Sequence, residues 1–177
     1  MKKLIFLLLA PAGFFACTGG GSGSSRAMSS DSTTTAITMP YTALYSSDFV
    51  PGKQSDVSTV LNNYKDWETN DMAAMKATYG DSVQLYFPSG FVFTGTVDSM
   101  IGLATKYRDS LSSVQLNFYA WTSNHSVDKN QDWVNVWYKE TDTYKTGKID
   151  SIVYEDDNRL ENGKIVWVSS HSQVLKP

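Results

Sequence analysis

Between Val114 and Lys176 the chain offers four long stretches, VQLNFYAWTSNHSVD, DWVNVWYKETDTY, KIDSIVYEDDNRL and KIVWVSSHSQVLK, whose character alternates from one residue to the next. Turn signals at Asp128 to Asn130, Thr146-Gly147 and Asn162-Gly163 separate them, and the last is a two-residue hairpin signal because both positions tolerate positive φ. Four consecutive strands joined by tight turns form an antiparallel meander. Thirteen extended residues reach about 43 Å at ~3.3 Å each, whereas a domain of about 120 residues is only about 35 Å across. The strands must therefore twist and bend, at bulges, into a sheet with a concave face.

Upstream the period changes to that of helices. Val57, Val60, Leu61, Tyr64 and Trp67 share one face of a helix with Ser55 or Asp56 as its cap. Asp71 caps a shorter helix, MAAMKATY, that Gly80 ends, with Met72, Met75 and Tyr79 inward. SVQLYFP reads as a strand closed by the Pro88-Ser89-Gly90 turn and FVFTG as another; a third helix, capped by Asp98, runs to about Leu111. These three helices are the material available to fill the concave face, and the arrangement encloses a pocket. The expected architecture is α+β, a curved antiparallel sheet wrapped around three N-terminal helices.

This element order, with YKDWETNDMAAMKATYGDSVQLYFPSG and the terminal RLENGKIVWVSSH, resembles the nuclear transport factor 2-like (NTF2-like) superfamily and its SnoaL-like group. The resemblance covers about residues 55–175 and implies a cone-shaped domain. Related ketosteroid isomerases use a donor tyrosine on the first helix and a basic aspartate before the proline that ends the first strand. Tyr64 falls on the donor; Phe87 stands where the base would be, and a phenyl ring accepts no proton. In SnoaL-like cyclases an aspartate lies near the position of Gln173, so that acid is replaced as well. His171 is the remaining acid–base candidate, and the orientation of the last strand decides whether it enters the pocket. Val166, Val168 and Val174 share one parity, and Ile165, Trp167, Ser169, His171 and Gln173 the other. With the valine parity inward, Tyr64, Trp67, Tyr86, Phe118 and Tyr138 are the expected ligand contacts. His125 and the run Glu155, Asp156, Asp157 read as solvated strand-end residues, Arg159 pairing with one of the acids. The glycines of TGKIDS and GTVDSMIG lack phosphate-loop spacing.

Neither face of the central strands is plainly polar, so the outer face needs a cover. A homodimer through that face, anchored by Trp121, Trp133, Trp137 and Trp167, is the simplest one; a ring-stacking platform is the other reading.

At the amino end, Lys2 and Lys3 precede an apolar run from Leu4 to Phe15, then Ala16 and the only cysteine, Cys17. That is the order of an export signal. It resembles a bacterial lipoprotein signal, which implies cleavage after Ala16 and lipid on Cys17, although Phe14, Phe15 and Pro11 depart from the usual pattern; an ordinary secretory signal with a chance cysteine is the alternative. Residues 1–16 are then the signal peptide, 17–38 a lipid-anchored Gly/Ser/Thr-rich tether, 39–54 an extended lead-in and 55–177 the domain. Thr18 and the lack of an early acidic run resemble outer-membrane lipoproteins facing the periplasm. Fifteen basic against 18 acidic residues, with no Lys/Arg cluster after residue 3, argue against nucleic acid. One cysteine and two distant histidines give no metal set, and no cofactor is expected. With both family acids missing, this reading favours a cell-envelope protein that binds a small apolar ligand or serves as an accessory module. A cyclase or isomerase acting on a hydrophobic ring or carbonyl compound is the alternative, and one buried acid or histidine opening onto the cavity would decide for it.

Overall fold

The computed structural model describes residues 39–174, so the signal segment, Cys17 and the tether lie outside the described residues. In chain order the elements are β1 (Phe49–Pro51), α1 (Gln54–Thr69), α2 (Met72–Thr78), β2 (Tyr79–Tyr86), β3 (Val92–Thr96), α3 (Val97–Arg108), β4 (Leu111–Ser126), β5 (Gln131–Tyr144), β6 (Ile149–Glu161) and β7 (Lys164–Val174). The seven strands make one open sheet in the order β1-β4-β5-β6-β7-β2-β3. The expected antiparallel meander β4 to β7 is present; β2 joins it as a parallel partner of β7, so the sheet is mixed. Asn162 and Gly163 both take positive φ, 52° and 72°, as a two-residue hairpin requires.

Helix ends follow local chemistry, with three corrections. The Asp71 carboxylate caps α2 by accepting from the Ala74 amide at 2.9 Å. For α3 the cap is Thr96, whose hydroxyl accepts from the Ser99 amide, so Asp98 lies inside the helix instead. Lys53 occupies the cap position of α1 without a side-chain bond, and Asp56 is buried in the first turn. Gly80 belongs to β2, because Tyr79 has already left helical geometry.

The lead-in does more than precede the domain. β1 pairs with the end of β4, and Gly52 follows it with its backbone against Ser123 and Asn124. A Cβ there would stand 2.8 Å from the Asn124 amide nitrogen, a contact that backbone cannot yield.

Bulges bend the long strands where length required it, and they decide which side chains face inward. Ser112 and Tyr119 are the extra residues of β4 against β5, and Val166 is the extra residue of β7 against β6. The Tyr119 bulge carries Trp121 to the inner side, with its ring centroid 6.4 Å from that of Phe118. Trp121 is therefore not an outer-face residue; Trp133, Trp137 and Trp167 remain there. The Val166 bulge brings Ile165 and Val168 onto one face, splitting the simple parity read from the sequence. Val57, Val60 and Tyr64 of α1 pack with Val134, Val136, Leu160, Ile165 and Val168 of the sheet and with Val97 and Met100 of α3. Removing such side chains from water, at roughly 25 cal/mol per Å² of apolar surface, is the main force holding helices to sheet.

Candidate functional site

The helices do not fill the concave face. A cavity of about 730 Å³ remains between α1, α3, the β2–β3 turn and the inner faces of β5, β6 and β7. Phe87, Phe91, Leu103 and Tyr107 line it and are themselves 42 to 55% exposed, which places its mouth between the β2–β3 turn and α3. Its volume lies within the range of small-molecule sites, and its walls are largely apolar and aromatic.

Against that lining stands a buried carboxyl. Asp156, at mid-β6, is 3% exposed. Its Oδ2 accepts the Tyr64 hydroxyl from α1 at 2.6 Å and the Tyr138 hydroxyl from β5 at 2.9 Å, while Oδ1 has no partner among the described residues. Burial pushes the carboxyl above the usual carboxylate range, and the hydroxyls of Tyr64, Ser170 and Tyr138 pull it part of the way back. Both tyrosines keep their protons, since burial first and the adjacent carboxylate second hold them well above the ordinary tyrosine value. The result is a buried acid held on Oδ2 by two phenols, with Oδ1 closed to solvent.

Two more acids occupy the inner face of β5, where Tyr138, Glu140 and Asp142 follow one another at strand period. Trp67 Nε1–H donates to Glu140 at 3.0 Å, and the Tyr107 hydroxyl donates to Asp142 Oδ2 at 3.1 Å. Burial, then the charge of Asp142, pushes Glu140 up to about 8. Asp142 is raised too, chiefly by burial, with hydrogen bonds from Tyr107 and Glu140 and the nearby Arg108 working against the rise. Glu140 thus holds a proton at neutral pH. Arg108, itself buried, does not line the cavity: its guanidinium donates to the carbonyls of Trp67 and Glu68 at the end of α1.

Of the residues expected as contacts, Tyr64, Trp67, Tyr86 and Tyr138 line the cavity. Tyr86 does so with its ring turned away, packed on Trp167 with centroids 5.5 Å apart. Phe118 is a correction, since it is not part of the lining; its ring supports Tyr64 and Tyr138 from behind, at 5.5 and 5.4 Å. His171 lies on the outer face, exposed, with only Ser169 near its ring at 3.5 Å, and it is not available to the cavity. Phe87 stands at the mouth, so the isomerase-type base is absent from that position. His125 is not a free solvated residue, because its Nδ1 meets Asp132 at 2.7 Å and Asp132 also accepts from Lys53. Arg159 pairs with Glu161, not with the preceding acids.

The largest departure from the sequence reading is Asp156, expected in solvent and found at the cavity wall. Of the run Glu155, Asp156 and Asp157, one member had to face inward. Its pairing with Val136, a core residue, decides which. Glu140 and Asp142 carried a signal in the sequence: they continue the parity of Val134, Val136 and Tyr138.

No protein-family model matches the chain, and no curated protein matches it. Solved structures do. An LEH-like epoxide hydrolase of M. tuberculosis aligns over 68% of this chain and 84% of its own, with 11% identity and a TM-score of 0.57. A structure assigned as a polyketide cyclase, from Xanthomonas campestris pv. campestris, aligns over 67% and 90%, at 16% identity and a TM-score of 0.53. An NTF2-like protein of unknown function from Exiguobacterium sp. 255-15 aligns over 65% and 98%, at 14% identity and a TM-score of 0.55. At these identities the likeness establishes the fold, an NTF2-like cone, and nothing of the chemistry.

Proposed function

We propose that this chain is an acid–base enzyme of the NTF2-like fold, acting on a small, largely apolar ring or carbonyl compound, with Asp156 as the proton-transferring residue. The observation that carries the reading is the Asp156 carboxyl in the wall of an apolar cavity, fixed on Oδ2 by Tyr64 and Tyr138 with Ser170 of the lining beside it. A carboxyl raised by burial is suited to take a proton and return it, because its affinity for the proton moves toward that of its substrate. The ionised form keeps two phenolic donors. Glu140, protonated at neutral pH, is a second acid on the same concave face. Among the solved structures of this fold, those described as an epoxide hydrolase and a polyketide cyclase act on ring-forming or ring-opening chemistry by name, which is compatible with this class and does not select within it.

The test is hydrogen exchange at carbon. Cyclic ketones are incubated with the protein in D2O, and deuterium uptake beside the carbonyl is read by mass spectrometry. The wild type speeds uptake for at least one ketone and Asp156→Asn abolishes the gain; no acceleration over a broad panel, or full activity in Asp156→Asn, refutes the assignment. Binding without turnover is the second reading, favoured by the extent of apolar lining and by the phenylalanine at the isomerase-type base position. The domain is further proposed to work at the cell envelope, held by lipid on Cys17, facing the periplasm from the outer membrane.

A further inference from the structure

We propose that the Glu140–Asp142 end of the cavity is a subsite for a protonated amine, so that the molecule received there carries a basic nitrogen beside its apolar body. The inference rests on the reading of the cavity as a ligand site and adds the charge of the ligand.

Asp142 lines the cavity, is only 8% exposed, and leaves Oδ1 without a partner while Oδ2 accepts from Tyr107. A buried carboxylate oxygen without a donor is rare in folded proteins and calls for an occupant. Two residues along the same strand face, Glu140 accepts the indole N–H of Trp67 and shares a hydrogen bond with Asp142. None of the residues lining the cavity is Lys, Arg or His. Arg108 and Asp150 act on Asp142 from α3 and β6, and the Arg108 guanidinium, bonded to backbone carbonyls and 6.0 Å from the Trp67 ring centroid, stands beside the acids without lining the cavity. Empty, the pair keeps a proton between its carboxyls; a bound ammonium takes the place of that proton and lets both ionise.

The surroundings suit an organic cation. Trp67 and Tyr107 present parallel rings, 8° apart in orientation with centroids at 6.1 Å, and they meet the two acids through Nε1 and Oη respectively. Aromatic faces beside carboxylates attract ammonium groups by cation–π and direct ionic contact together. A hard metal ion asks for six or more oxygens. Among the described residues no group of three or more His, Cys, Asp or Glu is placed to hold one.

The probes are 1-adamantylamine, cationic at neutral pH, and 1-adamantanol, its neutral counterpart of almost equal shape, each titrated calorimetrically into the full chain at pH 7. The amine binds about tenfold tighter or better, a difference of about 1.4 kcal/mol. The double variant Glu140→Gln, Asp142→Asn brings the two within about twofold while still binding the alcohol. Equal affinity for both probes in the wild type overturns the amine subsite and leaves the cavity reading standing. Binding of neither overturns both, and the wild-type comparison decides the matter even where a variant is poorly folded.

Discussion

Replacing Glu140 by glutamine should flatten the dependence of stability on pH. Glu140 has its proton held to about 8 in the folded protein against an ordinary 4.5. Between those values the folded state binds more protons than the unfolded chain, so stability falls as pH rises through the interval. A displacement of about 3.5 units corresponds to an upper limit of about 5 kcal/mol at ~1.36 kcal/mol per unit. Glu140 and Asp142 titrate as a pair, and water enters from the mouth, which reduces the loss between pH 5 and pH 8 to roughly 2 to 3 kcal/mol. Asp142 and Asp156 are raised as well and act with the same sign. Glutamine keeps an oxygen for the Trp67 N–H and removes the proton-binding group, so the variant should lose about half or more of the slope. Urea unfolding followed by tryptophan fluorescence at pH 5, 6.5 and 8 measures this directly. A wild-type midpoint that does not move between pH 5 and 8, or a Glu140→Gln protein that keeps the whole slope, refutes the placement of an acid pair in a dry wall.

Tyr64→Phe removes one of the two donors on Asp156 and should cost about 1.5 to 3 kcal/mol at neutral pH, and less in acid, where the carboxyl is neutral; urea midpoints at pH 4 and 7 compare the two. Gly52→Ala forces a Cβ against the Asn124 backbone and should lower stability by roughly 2 kcal/mol or more, with early loss of amide protection along β1 and the end of β4 in hydrogen exchange. Sedimentation at micromolar concentration should give a dimer through Trp133, Trp137 and Trp167, and Trp137→Glu a monomer; a wild-type monomer ends the outer-face reading. Metabolic labelling with a lipid precursor should mark the wild type and not Cys17→Ser, and equal absence of label in both ends the anchor.

Long strands, tight turns and helix faces were legible because each is a local pattern: Asn162-Gly163 names its turn, and Val57, Val60 and Tyr64 name their face. Bulges were not legible in position. An extra residue such as Tyr119 or Val166 reverses the side for everything beyond it, and that is why Trp121 was assigned to the wrong face and Ile165 to the parity opposite Val168. The site was half legible. Tyr64, Trp67 and Tyr138 follow from helix and strand period, whereas Asp156 depends on register with β5, a relation between distant segments that no local window contains.

The position of the acids follows from how little two helices can cover. Seven strands at ~4.8 Å span roughly 29 Å, and a helix with its side chains shields about 10 Å of width. α1 packs on β4, β5 and β7 and joins Leu160 of β6 in the core, and α3 packs on β2 and β3. The uncovered strip is about one helix wide and takes in the stretch of β6 from Ile152 to Asn158. A strip bare of helix can be filled only by large side chains or left as a cavity, and Ile152, Tyr154, Asp156 and Asn158 of β6 border one. An inward aspartate on β4 or β2 would meet apolar helix and be driven back to solvent at a cost of several kcal/mol. On β6 it meets two tyrosine hydroxyls, as Glu140 and Asp142 on β5 meet the Trp67 N–H and the Tyr107 hydroxyl, so each inward acid is held by an aromatic donor at the cavity wall.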